Sequence, residues 1–290
     1  MPYRLKSFLW VLLAYAVAGL AAVAAGWYVR DLHPLWVVAW ADIAATIVIF
    51  IFSLIFRNAS FYDAYWSVAP MVIAGYYLLE PGADPRYFRA YIAFFLVMAW
   101  GLRLTWNWAR SWTGLDHEDW RYGELKAKTG RWYPFVNFAG IHFFPTVMVY
   151  LGCLPLYASM YYGVNAFSVI DILAVFVAGA GIMIELTADN QLRRFRLSKP
   201  SSEKILKSGI WGYSRHPNYF GEMSFWAGIF LLGLAADSGT WKWGIGALAM
   251  VMMFVFISIP MIEKRMLARR PGYAAHRKKV SAVIPWKFND

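Results

Sequence analysis

Apolar residues run in long blocks, broken by short polar segments, over nearly the whole chain. The blocks fall at roughly 8–29, 35–56, 65–80, 89–108, 135–162, 168–188, 220–238 and 243–262. Most reach the roughly 20 residues that an α-helix needs to cross a bilayer. The pattern predicts an all-α fold, a polytopic membrane helical bundle of seven to eight transmembrane helices, with the third and seventh blocks short or broken. It also predicts a single membrane domain over 1–290, because no intervening segment is long enough for a separate soluble domain. The run that starts at Phe8 is too long for a usual signal-peptide core and reads as a retained helix.

Composition agrees with this layout: 60% of the 290 residues are apolar and only 16% are charged, against about half and a quarter in soluble domains. The net charge of +11 would suggest a nucleic-acid partner in a soluble chain. Here the cations collect between blocks, so no nucleic-acid partner is expected. Segments 109–134, 189–215 and the tail after Pro260 are basic, whereas 163–167 carries no basic residue. The positive-inside rule puts all three basic segments in the cytoplasm, together with both termini for eight spans. Membrane lipid and phosphate-bearing cofactors are the acceptors that suit such charge. Cys153 is the one cysteine, so neither a disulfide nor a thiolate metal site is possible. No zinc spacing, glycine-rich phosphate loop or nucleophile elbow occurs, and no metal is expected. Trp27, Tyr28, Tyr76, Tyr77, Tyr161 and Tyr162 near block ends read as an interfacial belt. Gly179 and Gly181 read as positions of close helix packing.

Polar chemistry is concentrated in five places. The decapeptide Tyr213-Ser-Arg-His-Pro-Asn-Tyr-Phe-Gly-Glu222 stands at the foot of the seventh block. Pro217 suits the first turn of a helix, which puts Asn218 and Glu222 on one face. With Tyr213, Arg215 and His216 just before it, the set offers donors for phosphates, acceptors for an amide or ribose, and rings for stacking. Glu185, Asp189, Arg193 and Arg196 are spaced four, four and three apart, on one helix face. They read either as a binding face or as a helix salt-bridged through Asp189 and Arg193. Asp63 opens the third block between Tyr62 and Tyr65. It is either an N-cap or a carboxyl kept protonated by apolar surroundings and able to donate a hydrogen bond. Arg103 lies deep enough in the fourth block to need a partner, with Asn107 four residues on. Glu118 and Asp119 beyond it read equally as a solvated loop. The last place is the tail, with Tyr273, His276, Arg277, Lys278 and Lys279, which suits anionic lipid or cofactor phosphate.

Together these motifs resemble the steroid 5α-reductase family in its bacterial integral-membrane branch, most closely over about 60–290. Asp189-xxx-Arg193-xx-Arg196 followed by Lys199-Pro200 is similar to the family's cofactor segment. Gly209-Ile-Trp-Gly-Tyr213 and Asn218-Tyr-Phe-Gly-Glu222 resemble its signature, and Tyr273-xxx-Arg277 followed by Ile284-Pro285 its terminal motif. The resemblance implies a reductase in a bacterial inner membrane that binds NADPH from the cytoplasmic side. Helices over about 35–165 would face the substrate, and the part over about 185–290 would bind the cofactor. It assigns Arg103, Asp189, Arg193, Arg196, Tyr213, Asn218, Glu222 and Arg277 as cofactor contacts, beside Arg215 and His216 of the decapeptide. Asp63 falls where the eukaryotic enzymes carry a glutamate that holds the substrate ketone. Tyr62 stands at that glutamate's glutamine neighbour, and Trp100 at its tyrosine partner. The implied reaction is reduction of the C4=C5 bond of a 3-oxo-4-ene steroid or similar lipid enone. Hydride would go to the β-carbon, with Asp63 as acid at the carbonyl, helped by Tyr62 or Tyr65. No obligate protein partner is implied. The alternative is a membrane methyltransferase of the isoprenylcysteine or phospholipid type using S-adenosylmethionine. Such enzymes share the Arg-His-Pro-x-Tyr-x-Gly signature but follow it with two adjacent acids, where this chain has Glu263 and then Lys264. A non-enzymatic lipid-binding protein is the third class, and it predicts no tight nucleotide.

Overall fold

The computed structural model describes residues 2–80, 88–201 and 203–286. The fold is all-helical, 82% helix. Among the described residues, seven helical stretches are long and apolar enough to cross a membrane, which makes this an integral membrane protein.

Helix α1 (Tyr3–Tyr28) packs along α2 (Pro34–Phe56). Pro34 stands at the first turn of α2, and Arg57 ends it in the left-handed region at φ 52°. Asn58 then starts a 3-10 turn over Ala59–Tyr62 by accepting from Ser60 N at 2.8 Å. Helix α3 (Tyr65–Leu79) has only 15 residues and contains Pro70. At 1.5 Å per residue it spans about 22 Å, less than the ~30 Å hydrocarbon layer, so the third block is a helix without being a full span.

Helix α4 (Phe88–Ser111) leads into a segment that the charge pattern marks as a long loop, yet it folds. Asp119 caps α5 (Trp120–Thr129) by accepting from Arg121 N at 2.9 Å. A helical path continues through α6 (Tyr133–Val136), a π turn at Asn137–Phe143, α7 (Phe144–Tyr157) and a second π turn at Ala158–Tyr162. Glu118 is no solvated loop residue either, since its Oε1 accepts from Ala59 N at 2.7 Å.

Helix α8 (Val169–Leu197) opens with a capping box between Ser168 and Asp171. It extends past the apolar block and carries Asp189, Arg193 and Arg196 with it, so the true connection is 198–216. Pro217 is the first residue of α9 (Pro217–Ala236). A 3-10 turn at Ser238–Trp243, α10 (Gly244–Met253), a π turn at Phe254–Ser258 and α11 (Ile259–Arg269) form the last span. The short α12 (Tyr273–Lys279) closes the described chain.

The tightest packing is α8 against α9. A Cβ on Gly181 would lie 2.6 Å from the Gly221 carbonyl oxygen and 2.7 Å from Phe225 N, so only glycine permits this approach. Gly179 faces open space and has no such role. At the end of the bundle away from the basic loops, Arg89 is wholly buried against Asp171, at 2.5 Å, and also donates to the carbonyls of Asn165 and Ala166. Tyr77, grouped by its position with the interfacial belt, is 1% exposed and belongs to the core.

Candidate active site

Two adjoining pockets lie toward the basic end of the bundle. The outer one has a volume of about 270 Å³ and lies between the end of α8, the 198–216 connection, α11 and α12; Arg196, Arg215, His216, Arg270, Tyr273 and His276 give it its polar lining. The inner one, about 120 Å³, reaches into the bundle; its walls are Trp66, Tyr219 and Phe254 and its polar lining includes Asn107, Glu185, Asp189, Asn218 and Glu222. Asn218 and Tyr219 border both. Phe254 enters from a π turn, a local widening often found at functional sites.

The floor of the inner pocket is an ion-pair network tying α4 to α8 and α9. Arg103 donates to Glu185 Oε2 at 2.7 Å and to Asp189 Oδ2 at 2.8 Å, and its side chain is 8% exposed. Asn107 adds a bond to Asp189 at 3.0 Å, and Arg110 holds Asn107 and Asn190. Asp189 is thus paired across helices, and the Asp189–Arg193 bond open to a helix spaced i, i+4 is not formed. Glu222 accepts from Trp226 Nε1 at 2.9 Å and from Trp100 Nε1 at 3.1 Å. Trp100 stacks on Phe225 at 4.8 Å, so the indole at this position serves as a fixed donor.

The wall of the outer pocket depends on Glu263 of α11. Its carboxylate accepts from Arg215 Nε at 2.7 Å, His216 Nε2 at 3.3 Å and Tyr273 OH at 3.4 Å, and pairs with Arg277 Nε at 3.2 Å. Arg215 also donates to the carbonyls of Arg277 and Val280. Backbone bonds from Arg215 N to Ser281 O and from Trp286 N to Tyr213 O seat the tail beside the decapeptide. The polar ends of Arg215 and His216 are therefore committed to Glu263. Arg196 and Arg270 line the same pocket with no ion pair among the described residues. Burial, and then the nearby Lys207 and Arg215 cations, hold the His276 imidazole below its usual range. Burial and then Glu263 push the Tyr273 phenol up to about 12. Loop geometry is set by Gly209 at φ +63°, packed on Gln191, and by Trp211 Nε1 donating to Ala188 O at 3.1 Å.

The residues expected at the substrate end lie outside both pockets, although Trp66 of the inner wall follows Tyr65 directly. Asp63 is not an N-cap; it ends the 3-10 turn and accepts from Tyr122 OH at 2.7 Å. Burial raises its carboxyl to about 6, against the lowering effect of Tyr122 and Ser60. Tyr62 and Tyr65 point into a separate buried network. Tyr62 bonds Thr146 at 2.8 Å, Thr146 bonds Thr46 at 2.9 Å, and Tyr65 donates to Asp42 Oδ1 at 2.7 Å.

This chain is matched over residues 49–280 by the family described as "Protein of unknown function (DUF1295)". It belongs to that family. DUF1295 is related to membrane enzymes of the steroid-reductase and methyltransferase kinds. The chain is 27% identical over 253 residues to an uncharacterized protein, C594.04c, of Schizosaccharomyces pombe, covering 79% of this chain and 73% of that relative. No solved structure matches it.

Asp42 is the polar residue of this DUF1295 chain that sequence reasoning passed over. It is 6% exposed in the middle of α2, and its Oδ2 has no partner among the described residues. The signal was present, because an acid inside an apolar block is a functional hypothesis by default. His142, fully buried with an Nε2 that has no partner among the described residues, was equally open to notice.

Proposed function

We propose that the protein is an NADPH-dependent reductase of a hydrophobic enone, such as a 3-oxo-4-ene steroid or a similar lipid. The observation that carries this reading is the pair of adjoining pockets, basic on the outer side and lined by acids, amides and aromatic rings on the inner. The two volumes together reach the low end of the ~300–1,000 Å³ typical of small-molecule pockets. The residues fit the cofactor. Arg196 and Arg270 would take its phosphates, their guanidinium groups having no ion pair among the described residues. Asn218 and Glu222 would hold a carboxamide beside Tyr219 and Trp66. NADPH supplies a hydride when bound.

The chain's own residues do the rest. Arg103 fixes Glu185 and Asp189 so that the inner wall does not shift between states. Glu263 holds Arg215 and His216 and thereby shapes the outer wall. Asp63, bonded to Tyr122, would give its proton to the carbonyl oxygen as negative charge develops there, stabilising the transition state more than the ground state. The reading places the protein in a bacterial inner membrane with both pockets facing the cytoplasm, as the basic connections imply.

A second reading has one observation in its favour. Three acids and three aromatic rings in the inner pocket also suit a sulfonium, and so a methyltransferase. NADPH-dependent turnover of a panel of enones by the purified protein in detergent, with product stereochemistry, tests the first reading. Methyl transfer from S-adenosylmethionine with no enone reduction would replace it by the second.

A further inference from the structure

Asp42 and His142 belong to a buried polar column that lines neither pocket. On α2, Asp42, Thr46 and Ser53 are spaced four and seven residues apart, on one helix face, and are 6%, 0% and 1% exposed. At 1.5 Å per residue the stripe is about 16 Å long. Tyr65 donates to Asp42 Oδ1 at 2.7 Å, Tyr62 and Thr46 both meet Thr146 Oγ1, and Asn137 Nδ2 donates to Ser53 Oγ at 3.2 Å. The stripe ends toward the basic segment 109–134. There Asn58 N donates to Ser53 O at 3.0 Å, and Asn58 Nδ2 donates to the carbonyls of Leu115 and the exposed His117.

The hydrogen bonds show what the column lacks. Thr146 Oγ1 has one proton, which it gives to the His142 carbonyl at 2.9 Å, so it accepts from both Tyr62 and Thr46. Tyr65 gives its proton to Asp42. His142 Nδ1 lies 3.1 Å from the Asn137 carbonyl oxygen. That oxygen can only accept, so Nδ1 carries the ring proton and Nε2 of the neutral ring is an acceptor. Three buried atoms then have no partner among the described residues: Asp42 Oδ2, His142 Nε2 and Asn137 Oδ1. All three are acceptors when Asp42 is ionised, and the Asp42 oxygen becomes a donor when it is protonated. Water is the smallest group that serves both states. Asp42 has no ion pair among the described residues. The titratable groups around it are Tyr62, Tyr65, Tyr150 and Cys153, with Tyr15 of α1 edge-on to the Tyr65 ring at 6.1 Å, and none is a cation.

We propose that water held by Asn137 and His142 connects Asp42 with the basic end of the bundle, and that Asp42 takes up and returns a proton along this route. The proton passes from water to Asp42 Oδ2 and back again, with no other reactant. An acid set inside membrane helices with such polar neighbours has the make-up of a proton relay. The proposal goes beyond the cofactor reading and does not depend on it. Its use under that reading is direct, because hydride transfer to an enone consumes one proton per turnover, and Tyr65 on Asp42 is the chain neighbour of Trp66 in the inner wall.

Infrared spectroscopy of the wild-type protein in detergent, with no cofactor present and over the pH range in which the fold is kept, tests this. The difference between wild type and Asp42→Asn should contain one carboxylic carbonyl band. On mixing into D2O that band should move to lower frequency well before the buried backbone amides of α2 exchange. Asn137→Leu and His142→Phe should keep the band and slow its shift by about tenfold, the scale of one lost hydrogen bond to the water. A wild-type band that moves no sooner than the α2 amides would overturn the proposal, and so would the absence of an Asp42 band at every pH; neither result requires a variant other than Asp42→Asn. An unchanged rate of shift in both column variants would overturn the route. Each of these results leaves the NADPH reading where its own titration puts it.

Discussion

Replacing Arg103 by methionine should destabilise the protein severely, because the site is built around this one guanidinium. Its side chain is 8% exposed, between Glu185 at 4% and Asp189 at 10%. Two charge-assisted bonds are lost, worth about 1.5–3 kcal/mol each. Two buried carboxyls then face each other unpaired, and breaking a buried pair from one side costs about 3–5 kcal/mol. The two routes agree on roughly 4 kcal/mol. At about 2–4 °C per kcal/mol for a chain of this size, the loss of melting temperature is on the order of 10 °C. Scanning fluorimetry in one detergent at one scan rate reads it. Adding Glu185→Gln and Asp189→Asn to Arg103→Met should recover most of the loss, since a neutral set leaves no orphaned charge. A single variant that melts within about 2 °C of wild type would refute the claim that this network is desolvated and paired.

Further predictions follow from the same geometry. Asp63→Asn should reduce enone turnover by about 10²-fold or more, the scale of a lost general acid, with NADPH affinity unchanged; equal turnover would remove Asp63 from the chemistry. The raised carboxyl of Asp63, near 6, has its neutral form full about one unit below that value and lost about one unit above it. Turnover should therefore fall as pH rises through 6, and a rate that climbs over that range would contradict the role. Glu263→Gln should loosen the tail over 273–286, with hydrogen exchange there faster by roughly 10–100-fold, the equivalent of one charged hydrogen bond; protection unchanged from wild type would show the tail is held by other contacts. Gly221→Ala places a Cβ 2.5 Å from Glu185 Cγ and 2.7 Å from the Gly181 carbonyl oxygen. It should cost about 1–3 kcal/mol by overpacking, seen as a lower melting temperature, whereas Gly179→Ala, facing open space, should be neutral.

Helices that cross the bilayer were legible because their apolar runs have the length the membrane demands, and the observed ends agree with them within a few residues for most blocks. Helix α5 was hidden because its residues are polar and basic, as suits an element lying outside the apolar core; only the Asp119 cap betrays it. The π turns at Asn137–Phe143 and Phe254–Ser258 answer to packing between helices and leave no local signature. At the site, spacing placed Asp189, Arg193 and Arg196 on one face and Asn218 with Glu222 on another. It also showed that Arg103 needs a partner. The identity of that partner was not legible. Local spacing pointed from Asp189 to Arg193, four residues away, whereas the bond forms to Arg103, 86 positions away. The role of Glu263 was out of reach for the same reason, since Arg215 stands 48 positions before it. Asp63, Tyr62 and Tyr65 are adjacent in sequence yet point into different networks, because the change from 3-10 turn to helix between them separates their side chains.

Binding of NADPH across the two adjoining pockets is tested most directly by the melting temperature of the wild-type protein in detergent as a function of NADPH concentration, with S-adenosylhomocysteine as the parallel titration. Binding to the folded state alone predicts a rise that continues with concentration, equivalent to about 2.7 kcal/mol at a hundred times the dissociation constant, and no rise with S-adenosylhomocysteine. A flat NADPH titration beside a rising S-adenosylhomocysteine one would contradict it.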